Sequence, residues 1–444
     1  MEKSIKIVII GAGFGGVKLA KSFYKKPVEV LLIDRNNYHN FQPLMYQVAT
    51  GGLEPGNIAY PVRRIFRKYK NVNFRMAEVF SVEINKNQIK TSIGEIQYDY
   101  LIVASGSKNN FFNFEPIKNK LLTLKTMPDA LQMRNWIFQN LERALANNRK
   151  EPLEEIMNIA IVGGGPAGVE LAGALAEMRK HVLPKEFPEL PLSKMSVNLY
   201  QSGPVLLAGM SEEASEKCLE YLTEMGVNVF LNTRVKDYSN KTIVMDDGST
   251  FTTDTVIWSA GVKGSPIDGF PDDAILSNRI LVDIFNKVIG TANIFAIGDV
   301  CAHVTPDNPK GLPMLAPVAQ QQGEHLAKNI LKQLENKEME PFSYKNKGVM
   351  ATIGRKKAVV DLPNYKFQGG FAWLVWMFVH IFSLVGFRDK TVTFIDWAVS
   401  YFSYDQPLGM ILKAAEFQPD TPKYEVKDKV EVEYGNNKFN SEMR

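Results

Sequence analysis

The sequence predicts an α/β fold that contains two parallel-sheet units of the same kind, followed by a helical C-terminal region. Three observations support this prediction. An apolar segment at the N-terminus runs into a glycine-rich turn and then a helical segment, and this order recurs near residue 160. A closing apolar segment follows each copy, ending in Ala-Ser-Gly in the first and Ser-Ala-Gly in the second. Three of the five tryptophans lie between residues 373 and 397, in a stretch rich in phenylalanine.

The composition limits the possible functions. With 444 residues the chain exceeds what one hydrophobic core usually holds, so two or three domains are expected. A formal net charge of +4 is too small to indicate nucleic-acid binding. The two cysteines, Cys218 and Cys301, form no CxxC pair, which argues against a redox-active disulfide or a zinc site and fits a reducing compartment. The chain begins directly with a predicted strand, so no secretory or transit peptide is expected.

The first copy consists of the apolar segment 5–10, the turn Gly-Ala-Gly-Phe-Gly-Gly at residues 11–16 and the helical segment 17–24. This spacing is typical of a turn that binds a dinucleotide, and the strand before it and the helix after it make the signal specific. Unpaired N–H groups and the dipole at the helix N-terminus favour a pyrophosphate there. A glycine-rich turn that binds nothing is the alternative.

The residues of this turn have separate expected roles. Gly11 makes the bend, and Gly13 lets the backbone approach the pyrophosphate. Gly16 lets the helix pack closely on the strand. Asp34 follows the apolar segment 28–33 and can bind ribose hydroxyls.

The rest of the first unit is predicted from composition and periodicity. Residues 37–52, rich in aromatic and amide side chains, predict a loop that leads into a short helix. Residues 72–96 alternate apolar and polar side chains, which predicts a small antiparallel sheet. Residues 98–106 predict a buried parallel strand that closes the unit, and residues 128–150 predict a linking helix.

The second copy has the same order. Residues 158–162 predict a strand, Gly-Gly-Gly-Pro-Ala-Gly at 163–168 a second turn, and residues 169–179 a helix. A proline-rich loop is expected at 181–191, before the strand 195–200. Recurrence of the whole unit carries more weight than either copy alone.

A third block follows the second copy, which residues 253–261 close. Residues 291–299 predict a short apolar strand that ends in Gly298-Asp299. The motif from Met314 to Gly323 opens a predicted helix that runs to about Leu334, and Pro317 stands where a first helical turn tolerates a proline.

Together these motifs resemble the two-dinucleotide flavoproteins related to the disulfide reductases, and within them the type II NADH:quinone oxidoreductases. The resemblance covers about residues 5–410, nearly the whole chain. It rests on the two glycine turns, on Gly298-Asp299, on Phe41-Gln42-Pro43-Leu44 with Gln47, on residues 316–323 and on residues 373–388.

The resemblance implies an α/β fold with two Rossmann-like dinucleotide-binding domains, one for FAD and one for NAD(P)H, plus a C-terminal membrane-associating helical region. The implied boundaries are 1–115 and 271–345 for the two parts of the FAD-binding domain, 116–270 for the NAD(P)H-binding domain, 346–417 for the membrane-anchoring region and 418–444 for a mobile tail. The implied enzyme is a non-proton-pumping NAD(P)H:quinone oxidoreductase of a respiratory chain. In it, hydride passes from NADH to N5 of a non-covalent FAD, and two electrons then reduce a membrane quinone, menaquinone or ubiquinone.

The resemblance also assigns roles to individual residues. The expected FAD-binding residues are Gly11, Gly13, Phe14, Gly15, Gly16, Asp34, Arg35, Ala104, Gly106, Asp299 and Ala316. The expected NAD(P)H-binding residues are Gly163, Gly165, Pro166, Gly168, Gln201 and Gly261. The expected catalytic residues are Glu170, which matches a glutamate close to the nicotinamide and flavin, Gln321, which matches the quinone-site motif, and Gln47.

The sequence departs from the family pattern at two positions. Pro317 stands where a glutamine commonly follows the alanine, so one amide contact is missing or is supplied by Gln320 or Gln322. Gln201 ends the strand 195–200, where an NADH-selective unit normally carries Asp or Glu. We therefore predict relaxed selectivity, with NADH preferred or equal and NADPH usable.

The residues themselves indicate cofactor chemistry. Two nucleotide sites in one chain suit a hydride relay in which the protein supplies placement and electrostatics. The five histidines are scattered, and the sequence presents no Ser-His-Asp or Cys-His set and no metal-ligand spacing. Cys301 could approach a flavin, although a small residue packed behind the loop is favoured. Glu170 could equally be an exposed residue of a first helical turn.

The C-terminal region poses a membrane question. Residues 371–387 carry no formal charge, and as a helix they would extend roughly 25 Å, less than the roughly 30 Å hydrocarbon core. The sequence therefore favours two helices in the interface plane, 371–387 and 392–404, over a spanning helix. A buried core helix with a dimer contact is the alternative, and both can hold. We expect peripheral, monotopic attachment to the cytoplasmic side of the cell membrane. The resemblance to the family also implies a homodimer.

Three other functions stay open at this stage. A sulfide:quinone oxidoreductase shares the fold and membrane helices but needs paired cysteines near the flavin, and Cys218 and Cys301 are badly placed for that. A soluble ferredoxin or rubredoxin reductase shares both nucleotide units but does not need the aromatic C-terminal region. A flavin-binding redox sensor without useful turnover would also fit the motifs.

Overall fold

The protein is described by a computed structural model that covers residues 4–147, 151–403 and 409–411. The ten strands of its two large sheets are β1 (Ile5–Ile10), β2 (Val28–Asp34), β3 (Val72–Met76), β4 (Tyr100–Val103), β5 (Leu122–Thr123), β6 (Ile159–Val162), β7 (Val197–Tyr200), β8 (Val227–Phe230), β9 (Thr255–Trp258) and β10 (Ile294–Ala296). The helices that position the site are α1 (Phe14–Ser22), α2 (Met45–Ala49), α3 (Met127–Leu145), α4 (Pro166–Glu177), α5 (Ala316–Leu334), α6 (Gly370–Ser383) and α7 (Phe387–Ser403). The tail predicted at 418–444 lies outside the described residues.

The first large sheet has β1 at its centre and the order β10-β4-β1-β2-β3, with all neighbours parallel. Ile10 pairs with Ile33 of β2 and with Val103 of β4, so the carboxyl ends of these strands meet at one edge. Alternate residues of β1 enter different hydrophobic clusters, Ile7 and Ile9 on one face and Val8 and Ile10 on the other. A strand buried on both faces explains the continuous apolar run in the sequence.

The second large sheet repeats this arrangement in the order β5-β9-β6-β7-β8, again with all neighbours parallel. Strand β6 occupies the place of β1, and β7 occupies the place of β2. The predicted pair of parallel-sheet units is therefore confirmed. Strand β10, although it comes late in the chain, returns to the first sheet beside β4.

Small sheets lie at the edges of the two units, and they are antiparallel except for the parallel pair Arg279–Val282 with Cys301–His303. Val72–Met76 was expected in such a sheet but is β3 of the parallel sheet, because its apolar residues Val72 and Phe74 pack in the same cluster as β1. The shorter paired strands are Val79–Glu83 with Gln88–Thr91 and Gly94–Gln97, Val235–Ser239 with Thr242–Met245 and Thr250–Thr252, Val349–Gly354 with Lys357–Asp361 and Lys366–Gln368, Tyr38–Asn40 with Ala59–Pro61, Ser107–Asn109 with Val262–Gly264, and Ile275–Leu276 with Arg279–Val282 and Cys301–His303.

One loop prediction needs correction. The loop expected at 181–191 is in large part helical: a π-helical turn, Met178–Val182, continues α4 and is followed by a short helix, Leu183–Glu186. Val182 and Leu183 are buried, and the proline after them stands in a first turn, so packing overrides its loop preference. The other helices are Pro55–Ile58, Val62–Phe66, Leu153–Met157 and Glu212–Glu224.

The C-terminal helices cover the side of the molecule where α2 and α4 meet. Helix α6 packs on the strand Lys357–Asp361, with Trp376 fully buried. Helix α7 contacts the short helix Pro55–Ile58, where the Asn57 amide donates to Asp396 at 2.6 Å. None of the helices in the described part of the chain is both long and apolar enough to cross a membrane.

Candidate functional site

The first glycine turn is held open at the N-terminus of α1. Gly11 has φ +108°, and a Cβ at this residue would overlap the carbonyl oxygen of Ala104 at the end of β4. A Cβ on Gly16 would overlap the carbonyl oxygen of Gly11, so only glycine permits this close helix–strand packing. Gly13 is the N-cap, and the space where its Cβ would lie contains no atom within 4 Å. These residues therefore fit a pyrophosphate at the start of α1.

Asp34 lies at the end of β2, beside this turn. Its Oδ2 accepts from the backbone N–H of Ala12 at 2.7 Å, and its Oδ1 accepts from that of Asn36 at 2.7 Å. Burial raises the pKa of Asp34, and the two backbone N–H donors oppose the rise. Arg35 next to it is exposed. The carboxylate thus already fastens β2 to the glycine turn, at the position where ribose hydroxyls were expected.

Two ring residues support the turn from the other side. His39 is buried, and its Nδ1 lies 2.8 Å from the carbonyl oxygen of Ala12. Burial lowers the pKa of His39, which favours the neutral ring. Phe14 packs edge-on against His39 and Phe41. The predicted FAD-binding residue Phe14 therefore joins the turn to the aromatic loop that precedes α2.

On the opposite side of the turn lies the strand end that carries Asp299. Its Oδ2 accepts from the hydroxyl of Ser107 at 2.5 Å, and the ammonium group of Lys125 lies 2.7 Å from the same hydroxyl oxygen. Gly106 and Gly298 take φ of +71° and +72°, which lets the two chain segments turn at this edge. Asp299 was predicted from the sequence, whereas Ser107 and Lys125 were not.

The second glycine turn repeats the first. Gly163 has φ +115°, a Cβ on Gly168 would overlap the carbonyl oxygen of Gly163, and Gly165 is the N-cap of α4 with open space beside it. Pro166 is the first helical residue. The side-chain oxygen of Gln201, at the end of β7, accepts from the backbone N–H of Gly164 at 2.9 Å.

A cavity of about 100 Å³ opens where α4 meets α2 and the C-terminal helices. Glu170 and Gln47 both line it, together with Tyr46, Trp376 and Trp397. The structure therefore brings together two of the three predicted catalytic residues.

Glu170 is 8% exposed, so the alternative of an exposed helix residue is wrong. Burial raises the pKa of Glu170 well above its usual range, and a hydrogen bond from the backbone N–H of Thr352 only partly opposes this. A carboxyl in this environment can hold a proton at a pH where a surface glutamate cannot.

A chain of hydrogen bonds connects the C-terminal helices to this cavity. The indole N–H of Trp397 donates to Oε1 of Gln47 at 2.7 Å, and Nε2 of Gln47 donates to the Tyr46 hydroxyl at 2.7 Å. Burial raises the pKa of Tyr46 well above its usual range, and the negative charge of Glu170 adds to the rise. Gln47 is thereby fixed in orientation by a residue 350 positions later in the chain.

A second carboxyl group, Glu177, lines the same cavity two helical turns after Glu170. Its Oε1 accepts from the backbone N–H of Arg355 at 2.6 Å. Burial raises the pKa of Glu177, and the Arg355 N–H opposes the rise. The seven-residue spacing on α4 was visible in the sequence and could have indicated a shared helix face.

The sequence is similar to known family models and proteins. Residues 5–323 match the family model described as pyridine nucleotide-disulphide oxidoreductase, and residues 346–403 match the NDH2 C-terminal domain. The type II NADH:quinone oxidoreductase Ndh of Mycobacterium tuberculosis is 32% identical over 417 residues, covering 90% of this chain and 88% of that protein. The type II NADH:quinone oxidoreductase of Haemophilus influenzae is 31% identical over 394 residues, covering 81% and 87%. The chain belongs to the type II NADH:quinone oxidoreductase family.

Solved structures show the same fold. The structure of NDH2 from Plasmodium falciparum in complex with NADH has a TM-score of 0.84 at 22% identity, covering 91% of this chain and all (100%) of that one. The sulfide:quinone oxidoreductase of Aquifex aeolicus also has this fold, with a TM-score of 0.70 at 19% identity over 90% of this chain and 95% of that one. The predicted family and fold class are thus confirmed.

Within this family member, Gln321 does not line the cavity that holds Glu170 and Gln47. Its amide exchanges two hydrogen bonds with the backbone of Lys345, at 2.9 and 3.0 Å. Ala316 is the first residue of α5. Of the two candidates to replace the amide missing at Pro317, Gln322 is buried and bonds the Gly298 N–H and the Asn286 side chain, which leaves the half-exposed Gln320.

The two cysteines are buried in different parts of the protein. Burial raises the pKa of Cys301 to about 12 and that of Cys218 to about 12, so both thiols are protonated. Cys301 packs in the core of the first unit and Cys218 in another cluster. They do not form the cysteine pair that a sulfide:quinone oxidoreductase needs.

Proposed function

We propose that this protein is a FAD-dependent NADH:quinone oxidoreductase, in which one NADH and one proton reduce one quinone to its quinol. When bound, FAD supplies the chemistry: it accepts the hydride and passes two electrons to the quinone. The observation that carries the proposal is the pair of matched glycine turns in one chain, with the Glu170–Gln47 cavity against the helix of the second turn.

The first unit is the proposed FAD site. Its open N-cap at Gly13 and the free space there suit a pyrophosphate, and Asp34 stands where the adenosine ribose would follow. Asp299, at the far end of the strand edge, is proposed to bind the ribityl or phosphate region. The remaining residues proposed to contact FAD are Gly11, Phe14, Gly15, Gly16, Arg35, Ala104, Gly106 and Ala316.

The second unit is the proposed nicotinamide site, formed by Gly163, Gly165, Pro166, Gly168, Gln201 and Gly261. Gln201 satisfies the glycine-turn N–H with a neutral amide oxygen. A carboxylate there would repel the 2′-phosphate of NADPH, and the amide does not. We therefore propose that NADH is the preferred or equal substrate and that NADPH is also used.

Glu170 is proposed to hold and deliver a proton at its carboxyl group. Burial raises the pKa of Glu170 and so favours the protonated carboxyl group, which can donate a proton to a quinone oxygen. Gln47, fixed between Trp397 and Tyr46, is proposed to orient the quinone ring. Gln321 is proposed to act at the flavin side, after release from Lys345.

The C-terminal helices are proposed to bind a membrane surface. Phe371, Leu374, Phe378 and Phe382 follow the spacing of one helix face on α6, and Phe371 and Phe382 are 68% and 72% exposed. On α7, Phe394, Ile395 and Val399 are exposed as well. Two such helices in the interface plane would bring a lipid-soluble quinone, menaquinone or ubiquinone, to the cavity without crossing water. Attachment to the cytoplasmic side of a cell membrane and a homodimer are further parts of this proposal.

Anaerobic stopped-flow spectroscopy tests the proposed reaction. NADH should bleach the flavin absorbance of the purified protein, and a quinone should restore it at the rate of steady-state turnover. Sulfide and reduced ferredoxin should bleach it far more slowly. Bleaching by NADH without reoxidation by quinones would leave a flavin-binding sensor, and the absence of any flavin absorbance would contradict the proposal.

A further inference from the structure

Lys125 has no role in the reaction proposed above. It lies between β5 and α3, in the unit proposed to bind NADH, yet its ammonium group reaches Ser107, which follows β4 of the other unit. The lysine therefore crosses from one nucleotide unit into the other.

The hydrogen-bond directions around Lys125 follow from the inventory of protons. The Ser107 hydroxyl has one proton, and it lies 2.5 Å from the Asp299 carboxylate, which can only accept. The Ser107 oxygen therefore accepts from the ammonium group of Lys125 at 2.7 Å. The result is an ordered chain in which Lys125 donates to Ser107 and Ser107 donates to Asp299.

The strand order shows on which side of the first glycine turn the hydrogen-bonded residues Lys125, Ser107 and Asp299 lie. In the first sheet, β2 with Asp34 lies on one side of β1, whereas β4 and β10 lie on the other. A dinucleotide extends across the carboxyl ends of these strands, with its pyrophosphate at α1. If Asp34 meets the adenosine half, then Asp299, Ser107 and Lys125 lie on the side of the flavin half.

The backbone around Lys125 is fixed. Its N–H donates to the Asp129 carboxylate at 3.0 Å, which also belongs to the capping box of α3 with Thr126. Its carbonyl oxygen accepts from the Gln42 amide at 3.4 Å. The backbone of Lys125 is thus bonded to two segments, the start of α3 and the loop that carries Gln42, and its side chain reaches a third at Ser107.

The ammonium group has more donors than partners. It carries three N–H bonds, and Ser107 is its one hydrogen-bond partner among the described residues. Burial lowers the pKa of Lys125, and the charge of Asp299, one side chain away, opposes this. A half-buried cation with two unpaired donors, facing a strand edge suited to a dinucleotide, indicates that acceptor atoms of a ligand complete its shell.

We propose that Lys125 binds the flavin half of FAD directly and that its positive charge raises the midpoint potential of the bound flavin. The inference rests on the proposed binding of FAD by the first unit. A positive charge next to the flavin favours the form that holds more electrons. The unit that binds NADH would in this way help to set the driving force for hydride transfer.

The test compares Lys125→Met with Lys125→Arg and with Lys108→Met. Lys108 is the exposed neighbour of Ser107 on the same strand, so its substitution removes the same charge on the opposite face. The measurements are the affinity of apo protein for added FAD, by quenching of flavin fluorescence, and the midpoint potential of bound FAD against reference dyes.

For Lys125→Met we expect the midpoint potential of the bound flavin to become about 30 mV more negative than in wild type. For a two-electron couple this shift corresponds to an about tenfold change in the ratio of the affinities for oxidised and reduced FAD, in favour of the oxidised form. FAD affinity should fall by about tenfold as well, the loss expected for one charge-assisted hydrogen bond. Lys125→Arg should stay close to wild type in potential, and Lys108→Met should match wild type in both measurements.

A potential for Lys125→Met equal to that of Lys108→Met, in protein that still binds FAD, would overturn the inference. A shift that Ser107→Ala reproduces in full would also overturn it, because Lys125 would then act only by positioning Asp299. Failure of the wild-type apo protein to bind FAD would contradict the proposed function instead. NADH binding to each variant, followed by its nicotinamide fluorescence, shows whether the second unit is folded.

Discussion

In both nucleotide units a side-chain oxygen accepts a hydrogen bond from a backbone N–H of the glycine turn, but the two side chains differ in charge. In the first, the Asp34 carboxylate accepts from the N–H of the second turn residue, Ala12, at 2.7 Å. In the second, the Gln201 amide oxygen accepts from the N–H of the equivalent residue, Gly164, at 2.9 Å. The turn needs an oxygen acceptor at this position, and it does not need a charge. The charge is therefore available to select the nucleotide.

The helices that follow the two turns differ more. Counting from each N-cap, Glu170 of α4 corresponds to Lys18 of α1. Lys18 is 42% exposed and pairs with Glu324 at 2.9 Å, whereas Glu170 is buried against α2 and the strand Val349–Gly354. The same helical position carries a surface ion pair in one unit and a buried carboxyl group in the other, because α1 packs on α5 whereas α4 packs on α2 and the strand Val349–Gly354.

The largest expected effects come from adding a side chain to a glycine of either turn. Gly16→Val should abolish FAD retention, and Gly168→Val should keep FAD but raise the KM for NADH at least about 100-fold, because overpacking of this severity costs about 3 kcal/mol or more. The flavin absorbance per protein and steady-state kinetics measure the two effects. Loss of FAD from Gly168→Val with a folded first unit would break the assignment of the two units.

Glu170→Gln should lower kcat/KM for quinone about 100-fold, the usual contribution of one proton-transfer group. The rate of flavin bleaching by NADH should change much less. Lys18→Met is the matched control, since it alters the equivalent position of the other helix, and it should leave both rates unchanged. Equal quinone kinetics in Glu170→Gln and wild type would show that the buried carboxyl has no role in protonation.

Gln201→Glu should lower the ratio of kcat/KM for NADPH to that for NADH at least about tenfold. The new carboxylate keeps an oxygen for the Gly164 N–H, and it repels a 2′-phosphate by up to about 4 kcal/mol at an effective dielectric of 20. FAD content serves as the control because the change lies in the other unit. If wild-type protein does not oxidise NADPH, the prediction of relaxed selectivity is wrong.

Asp34→Asn should weaken FAD binding only about fivefold, because the amide oxygen still accepts from Ala12 and one charge-assisted hydrogen bond becomes a neutral one. Titration of apo protein with FAD measures the effect. A loss as large as that of Gly16→Val would mean that the charge of Asp34, and not only its oxygen, holds the turn.

The smallest expected effect concerns stability and pH. Burial raises the pKa of Glu170 above the ordinary value of 4.5, so its contribution to stability is complete below that value and is lost as pH rises through the folded-state pKa. Glu177 acts in the same direction. The Tm of wild type should therefore fall with pH over this range, and Glu170→Gln should flatten part of the fall. Identical Tm profiles for the two proteins would contradict the assigned protonation.

Short sequence patterns predicted those parts of the structure that depend only on residues close together in the sequence. The two turns, the strands before them, Asp34 and Gln201 follow from short spacings, because strand–turn–helix geometry is set within about 30 residues. Strand Val72–Met76 was assigned to the wrong sheet and 181–191 to a loop, since in both cases packing of apolar side chains outweighed a local signal.

The contacts that build the cavity could not be predicted in this way. Trp397 and Gln47, 350 positions apart, are joined by a hydrogen bond, and Lys125 reaches Ser107 across the boundary between the units. Such pairs have no spacing rule, because they arise where elements far apart in the sequence pack together.

The sequence by itself determined two nucleotide turns of one design and the difference in charge between Asp34 and Gln201, because both depend on backbone geometry over short distances. Only the tertiary structure decided that Glu170 is buried and Lys18 is not. It also decided which side chains surround Glu170, since burial depends on the C-terminal helices that cover α4. The physical reason is that a carboxyl group changes its proton affinity with its surroundings, and surroundings are a property of the folded chain.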